Sequence, residues 1–444
     1  MEKTYIGKIY SVRGMTVEAE VERDFSELKL LGEKRSFLPS QVGSYVLIHG
    51  RFEKQVGIIS EVRRMPIEET REGRIEFKIK SVMIVQLVGS LGEKSFQRGY
   101  VLPPFVGEEV HFPEPQDFER IFSGQQKELS IKVGHFHQME EIPVLLHLDR
   151  LLARHTAVVG NTGSGKSTTV ATLVMRLIEK YDHAHIALFD IHGEYSLISH
   201  PRVKQIKADA LKIPHWLLSF PQWKTLLNVG FRTSEPWDAL KEAITELKCR
   251  YNKDIEPSKI SVDMPVYFPV EKLLQHPRIV GEECAIMRER IETLIKDSRY
   301  FNILKSGYDS TETLKDFTQL ILDKNAGCTV LNLSKIMPDM LNFVVEILSR
   351  LFFRFCYWNL NRDYPLLLVY EEGHRYLGRD DAPHSATRRV EDIAKEGRKY
   401  GVGLMIVTQR PSDISETILA QCNNFIAHRL TTDRDKNFLM SLLP

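Results

Sequence analysis

Cysteine is scarce in this sequence and scattered. Cys249, Cys284, Cys328, Cys356 and Cys422 are the only five in 444 residues, and no two form a CxxC pair. That spacing signals neither a disulfide framework nor a zinc site. The histidines His135, His137, His183 and His185 have no cysteine or carboxylate partners at ligand spacing either. The thiols therefore read as reduced core residues. Long apolar runs are missing as well: none approaches the roughly 20 residues a membrane span needs, and Met1 to Tyr10 carries Glu2, Lys3 and Lys8 in place of an apolar signal core. A cytoplasmic protein is expected. Proline and glycine, 20 and 26 residues, are too thinly spread for a disordered or fibrous chain. An excess of one charge is absent too, with 60 Lys plus Arg against 59 Asp plus Glu for a net charge of +1. That balance excludes a uniformly basic nucleic-acid coat but not a basic channel created by assembly.

What remains is an ordinary globular composition, 43% hydrophobic and 27% charged, in a chain long enough for two or three domains at roughly 150 residues each. The first part reads as short strands: Ile6 to Tyr10, Met15 to Val21, Tyr45 to Ile48, Val56 to Val62 and Phe77 to Leu87. They are rich in β-branched and aromatic residues and punctuated by Gly14, Gly43, Gly50 and Gly73. Strands this short, with turns between them, predict a small β-barrel or sandwich. The proline-containing stretch Leu102 to Pro115 interrupts them, Ile131 to Leu148 leads onward, and the domain boundary is expected near residue 140.

From Arg154 the rhythm changes to apolar strand, loop and long helix. Strands are predicted at His155 to Gly160, His185 to Asp190, Thr329 to Leu333, Pro365 to Tyr370, Gly403 to Thr408 and Asn424 to His428, with a helix at Ser167 to Tyr181. This alternation implies an α/β domain with a parallel sheet over 141–444. Within it, about 235–323 reads as a helical insertion, with amphipathic segments at Trp237 to Tyr251 and Glu282 to Lys296.

The segment Gly160-Asn161-Thr162-Gly163-Ser164-Gly165-Lys166-Ser167 fits GxxxxGK[ST] at every fixed position, follows an apolar strand and opens a helix. That context is what a P-loop requires. Glycines let backbone N–H groups curl around phosphate oxygens, and the helix N-terminus adds a favourable dipole. Lys166 is placed for the β- and γ-phosphates and the Ser167 hydroxyl for Mg²⁺. The expected nucleotide-binding set is this octet with Thr168, and the expected cofactors are ATP and Mg²⁺.

Nucleotide hydrolysis needs carboxylates at the end of a nearby strand. The apolar run Leu366 to Tyr370 ends in Glu371 and Glu372, the first placed to hold Mg²⁺ through water, the second to polarise the attacking water. A second apolar run ends at Thr408, which puts Gln409 where a sensor would feel the γ-phosphate. Arg398, in the segment Lys395 to Gly401, and Arg154, just before the first strand, are candidates for an arginine supplied in trans. Asp190 and Glu194, in Asp190-Ile191-His192-Gly193-Glu194-Tyr195, stand at another strand end and are placed to tune water or Mg²⁺, while His192 reads as structural.

These residues resemble the HerA family of hexameric ATPases, relatives of the FtsK-type DNA pumps. The resemblance runs from Arg154-His155-Thr156 into the glycine-rich loop, then through Asp190 to Tyr195, Tyr370-Glu371-Glu372-Gly373-His374, Glu396 to Gly401, and Thr408 to Ser412. It implies a RecA-like P-loop ATPase domain behind a HAS-like β-barrel that serves assembly and docking. It further implies a homo-hexameric ring passing double-stranded DNA through its pore, and a partner that is either a NurA-like nuclease or a sirtuin-like or other nuclease effector in anti-phage defence. By position, Lys166 and Ser167 would bind nucleotide and Mg²⁺, Glu372 would be the catalytic glutamate, Asp190 a further acidic residue, Gln409 a sensor, and Arg398 with Arg154 the trans-acting arginines. Gly373 stands where the family commonly has alanine. The chain stops at Leu442-Leu443-Pro444, where family members commonly continue into a segment that braces the neighbouring subunit.

Three readings follow: an ATP-driven DNA translocase working with an effector, an ATPase scaffold that switches an effector without processive movement, and a motor for a substrate other than DNA. The barrel and the Glu396 to Gly401 segment favour the DNA-pump branch. A translocase needs basic or amide-bearing pore loops; Arg379, Arg388 and Arg389 are candidates and none is assigned.

Overall fold

A computed structural model describes residues 4–22, 42–51, 53–71, 74–92, 96–99, 102–122, 129–136, 139–207, 209–304, 307–323, 325–359, 364–379 and 385–442. His137, Leu443 and Pro444 lie outside these residues. Two compact units divide the chain between His147 and Leu148. Among the described residues no helix is long and apolar enough to cross a membrane.

The first unit is a closed barrel. Its strands are β1 (Tyr5–Arg13), β2 (Thr16–Val21), β3 (Tyr45–His49), β4 (Lys54–Arg71), β5 (Arg74–Leu91), β6 (Phe96–Arg98) and β7 (Glu109–His111). They pair in the order β2-β1-β7-β3-β4-β5-β6, and the β2–β5 pairing closes six of them into a ring, which leaves no free edge along those strands. Alternate side chains Ile6, Val17, Ala19, Val46, Ile48, Ile59, Met83, Val85 and Val110 fill the interior. A register shift at Gly57 lets β4 bend, and a Cβ there would fall 2.3 Å from Val85 Cγ1.

Two features here were not expected from the sequence. The proline-containing stretch ends in a helix, Pro115–Phe122. Pro115 presets the helical φ, and the Asp117 carboxylate accepts the Glu114 N–H at 3.1 Å. The segment expected only to lead onward forms a hairpin, β8 (Ser130–Phe136) with β9 (Met139–His147). Its alternation is obscured by two register shifts and by Pro143, which lies opposite His135.

The second unit holds β10 (Thr156–Val159), β11 (His185–Asp190), β12 (Val203–Ile206), β13 (Cys328–Asn332), β14 (Leu366–Tyr370), β15 (Val402–Thr408) and β16 (Asn424–Ala427). All seven run parallel in the order β12-β13-β11-β14-β15-β10-β16. Every residue of β10, β11, β14 and β15 is buried, and apart from Thr156, His185, Asp190 and Thr408 at their ends these strands read as apolar runs. β12 escaped the sequence reading because it is a four-residue edge strand that pairs only with β13.

The helix Lys166–Lys180 buries Val170, Leu173, Val174, Leu177 and Ile178, one stripe at 3.6-residue spacing. At about 2 kcal/mol per side chain this face gains at most about 10 kcal/mol gross, enough to hold the helix under the sheet while its N-terminus stays open. Between β12 and β13 the chain is mainly helical, at Phe220–Leu227, Glu235–Tyr251, Ala285–Lys296 and Leu314–Ile321, joined by short 3₁₀ turns.

Candidate nucleotide-binding site

In a parallel sheet the strand ends that carry ligands lie on one edge. Here the carboxyl ends of β11, β14, β15 and β10 follow one another in the sheet. They set Asp190, Glu371 with Glu372, Gln409 and the glycine-rich loop along that edge in this order.

The loop has the backbone its residues predict. Gly160, Gly163 and Gly165 have φ of 154°, 73° and 97°, and a Cβ on Gly160 would lie 2.5 Å from His428 Cβ. The following helix begins at Lys166 with no side-chain cap, so its first N–H groups remain available to an anion. Lys166 is 5% exposed, and its ammonium donates to the Asn161 carbonyl at 3.2 Å with no ion-pair partner among the described residues. Ser164 Oγ is buried without a hydrogen-bond partner. A buried cation, an orphaned hydroxyl and open amides are what a polyphosphate would satisfy. Beside the loop lies an open cavity of ≈ 610 Å³ lined by Asn161, Thr162, Gln409, Arg410, Ser412 and Asp413, among others. Thr168 is exposed at the start of the helix.

The loop is gripped from a distant segment that the sequence reading did not single out. His428, just after β16, contacts the Ser164 carbonyl through Nδ1 at 2.9 Å and Thr169 Oγ1 through Nε2 at 3.1 Å. Asn161 N–H donates to Arg429 O at 3.0 Å, and Asn161 Nδ2 to Thr431 Oγ1 at 2.7 Å.

Glu372 has φ 46° and ψ 46°, a left-handed conformation costly for a residue with a Cβ. It turns the chain sharply off β14 and places the carboxylate within electrostatic reach of Lys166. Burial raises its pKa, yet the His374 imidazole and the Lys166 ammonium outweigh that and hold the carboxyl below its ordinary value. Glu371, 1% exposed, accepts the Tyr195 hydroxyl at 2.5 Å on Oε2. Burial, reinforced by the Glu372 and Glu194 charges, pushes its pKa up to about 7.

A carboxyl raised from 4.5 to about 7 makes a contribution to stability that is fully present below pH 4.5 and lost as the pH rises through 7. The ligand-free protein is therefore expected to lose about 3 kcal/mol relative to Glu371→Gln between pH 4.5 and 7.5, read from urea unfolding of both proteins. A difference that stays flat with pH would mean that Glu371 is ionised throughout.

The Asp190 carboxylate is taken up by the turn that follows β11. Its Oδ1 accepts N–H groups of His192, Gly193 and Glu194 at 3.2, 2.7 and 3.1 Å, and Oδ2 accepts Tyr195 N–H at 3.0 Å. With both oxygens so engaged, Asp190 builds the turn, and it is Glu194 on that turn whose carboxylate receives the Ser167 hydroxyl. The sequence placed both acids at this strand end; only the hydrogen bonds tell their parts apart. Gln409 Oε1 accepts the Thr162 hydroxyl, joining the end of β15 to the loop.

Arg154 and Arg398 are not brought to this edge. Arg154 precedes β10, and Arg398 lies on the 3₁₀ turn Gly397–Tyr400 before β15, so both stand at the amino ends of the strands. The strand between Arg154 and Gly160, Thr156–Val159, alone spans about 13 Å, longer than an arginine side chain. Both arginines are exposed. His155, between them, has φ 45°, accepts the Leu404 N–H on Nδ1 at 3.0 Å and donates from Nε2 to the Ala394 carbonyl at 3.0 Å. Burial and the nearby Arg398 charge lower its pKa, which keeps this brace neutral. Of the arginines offered for a pore, Arg379 pairs with Glu416 at 2.9 Å and Arg389 with Asp392 at 3.3 Å, while Arg388 is exposed.

This geometry agrees with the comparisons. The family profile described as "Helicase HerA, central domain" matches residues 131–352, and that described as "Helicase HerA-like C-terminal" matches 313–440. The DNA double-strand break repair helicase HerA of Sulfolobus acidocaldarius is 28% identical over 427 residues, covering 90% of this chain and 81% of that one. The protein of the same description from Saccharolobus solfataricus is 25% identical over 419 residues, covering 90% and 80%. Among solved structures, VirB4 of Thermoanaerobacter pseudethanolicus aligns with a TM-score of 0.50 at 14% identity over 70% of this chain and 87% of that chain, a likeness of fold. The two profiles overlap at residues 313–352 and between them span the loop, the acid pair and the strand before Gln409, and on that ground the chain belongs to the HerA helicase family and is a P-loop ATPase.

Proposed function

We propose that this protein is an ATP-driven motor that moves double-stranded DNA as a homo-hexameric ring, working with a nuclease partner of the NurA kind or another nuclease effector. The observation that carries the reading is the separation of the phosphate loop and the exposed Arg398 and Arg154 on opposite ends of one sheet. Residues set so cannot meet within a chain, and a ring that juxtaposes the two edges of neighbouring subunits brings them together. The relatives named as DNA double-strand break repair helicases support DNA as the substrate.

In this reading Gly160 to Gly165 wrap the phosphates with backbone N–H groups, and Lys166 neutralises the terminal ones. Ser167 and Glu371 would hold Mg²⁺, with Glu194 beside the Ser167 hydroxyl, and the ion would supply charge neutralisation to the phosphates. Glu372 takes the proton of the attacking water. Gln409 reports the state of the loop through Thr162, Asp190 acts by shaping the turn that carries Glu194, and Arg398 or Arg154 of the next subunit approaches the γ-phosphate. The barrel is the assembly and docking module, a closed ring of strands around packed apolar side chains.

The test is ATP hydrolysis measured with and without duplex DNA. Stimulation by duplex that weakens steeply as salt rises is expected, since phosphate contacts dominate such binding. Hydrolysis indifferent to duplex, yet responsive to the effector, would replace the motor with an ATPase scaffold. Lys166→Ala should abolish nucleotide binding or turnover; near-normal turnover in the folded variant would sink the assignment of the loop.

A further inference from the structure

His374 stands in two contacts that compete for one ring nitrogen. It lies on the 3₁₀ turn Gly373–Arg375 that follows the acid pair, with its side chain 13% exposed. Its Nδ1 is 3.2 Å from Glu372 Oε2 and also 3.2 Å from Thr408 Oγ1. Glu372 Oε2 is sealed from solvent and has no well-directed hydrogen bond. Thr408 Oγ1 already accepts the Arg410 N–H at 3.0 Å, which leaves its own hydrogen free to donate. An imidazole nitrogen is either a donor or an acceptor. With hydrogen on Nδ1 it holds the carboxylate; with hydrogen on Nε2 its lone pair takes the Thr408 hydroxyl and faces the carboxylate unfavourably.

Thr408 is the last residue of β15, next to Gln409, and Gln409 receives the Thr162 hydroxyl from the phosphate loop. We propose that His374 is a positioning residue for Glu372, and that the loop-contacting end of β15 governs it by competing for Nδ1. The Nδ1–H form orients the carboxylate for water; capture of Nδ1 by Thr408 lets the carboxylate go. The exchange moves the imidazole hydrogen between its two nitrogens with no change in net charge. The inference rests on the reading of Glu372 as the base.

The experiment replaces His374 with Phe, Asn and Gln in the full chain, and follows turnover together with the Kd of a fluorescent ATP analogue, which also reports that each variant folds. Asn sets an amide nitrogen where Nδ1 stood; Gln sets it where Nε2 stood. Loss of an orienting partner of this kind costs on the order of 10–100-fold. The expected result is a kcat lowered by that amount in Phe and Gln, largely restored in Asn, with Kd unchanged in all three. Adding His374→Phe to Glu372→Gln should cost nothing further. Asn as poor as Phe, or Gln as good as Asn, overturns the proposal and leaves His374 a packing residue. Normal turnover in Glu372→Gln alone would instead sink the base assignment, and the positioning role with it.

Discussion

Rings built wholly of Arg398→Ala subunits are expected to bind nucleotide normally and hydrolyse it about 10³ to 10⁵ times more slowly than the unaltered protein. The physical reason is the charge that develops on the γ-phosphoryl oxygens. A guanidinium at that point stabilises the transition state more than the ground state, so its loss appears in kcat and not in binding. Arg398 sits on an exposed turn at the far end of the sheet from its own loop, which makes the deficit repairable from outside the chain. Arg398→Ala subunits mixed with Lys166→Ala subunits should regain part of the lost activity, because one interface in the mixture pairs an intact loop with an intact arginine. The unaltered protein should also gain specific activity with concentration as rings form. Full activity in Arg398→Ala rings would transfer the role to Arg154, which shares that edge.

The second large effect belongs to Glu372. Glu372→Gln keeps the side-chain shape and the left-handed backbone but cannot accept a proton, so turnover should fall about 10² to 10⁴-fold while ATP stays bound. Trapped, unhydrolysed ATP recovered with the protein is the readout. The electrostatics favour Glu372 over its neighbour: its pKa is held low and it is ionised at neutral pH, whereas burial raises Glu371 to about 7. If Glu371→Gln traps ATP and Glu372→Gln does not, the two carboxylates have exchanged roles.

The amino-acid sequence by itself determined the elements that are local. The loop from Gly160 to Ser167 is legible because phosphate chemistry requires particular residue types at consecutive positions. The buried strands β11, β14 and β15 are legible because a strand covered on both faces is apolar along its interior. The acid pair is legible because it ends such a run. Short or interrupted elements escaped, as β12, the hairpin of β8 with β9, and the helix Pro115–Phe122 show; four residues, a proline or a register shift erase the periodicity that a reading depends on.

Tertiary structure alone decided what meets what. Asn161 contacts Thr431 across 270 positions, Thr162 contacts Gln409 across 247, and His428 reaches the Ser164 carbonyl across 264. These contacts follow from strand order, with β10 lying between β15 and β16, and no local pattern of polarity encodes that order. The same folding turned Asp190 inward onto the turn, brought Glu194 to Ser167, and set His374 between Glu372 and Thr408. It also carried Arg154, only six residues before Gly160 in sequence, to the opposite edge of the sheet, because an extended strand separates its two ends by its full length.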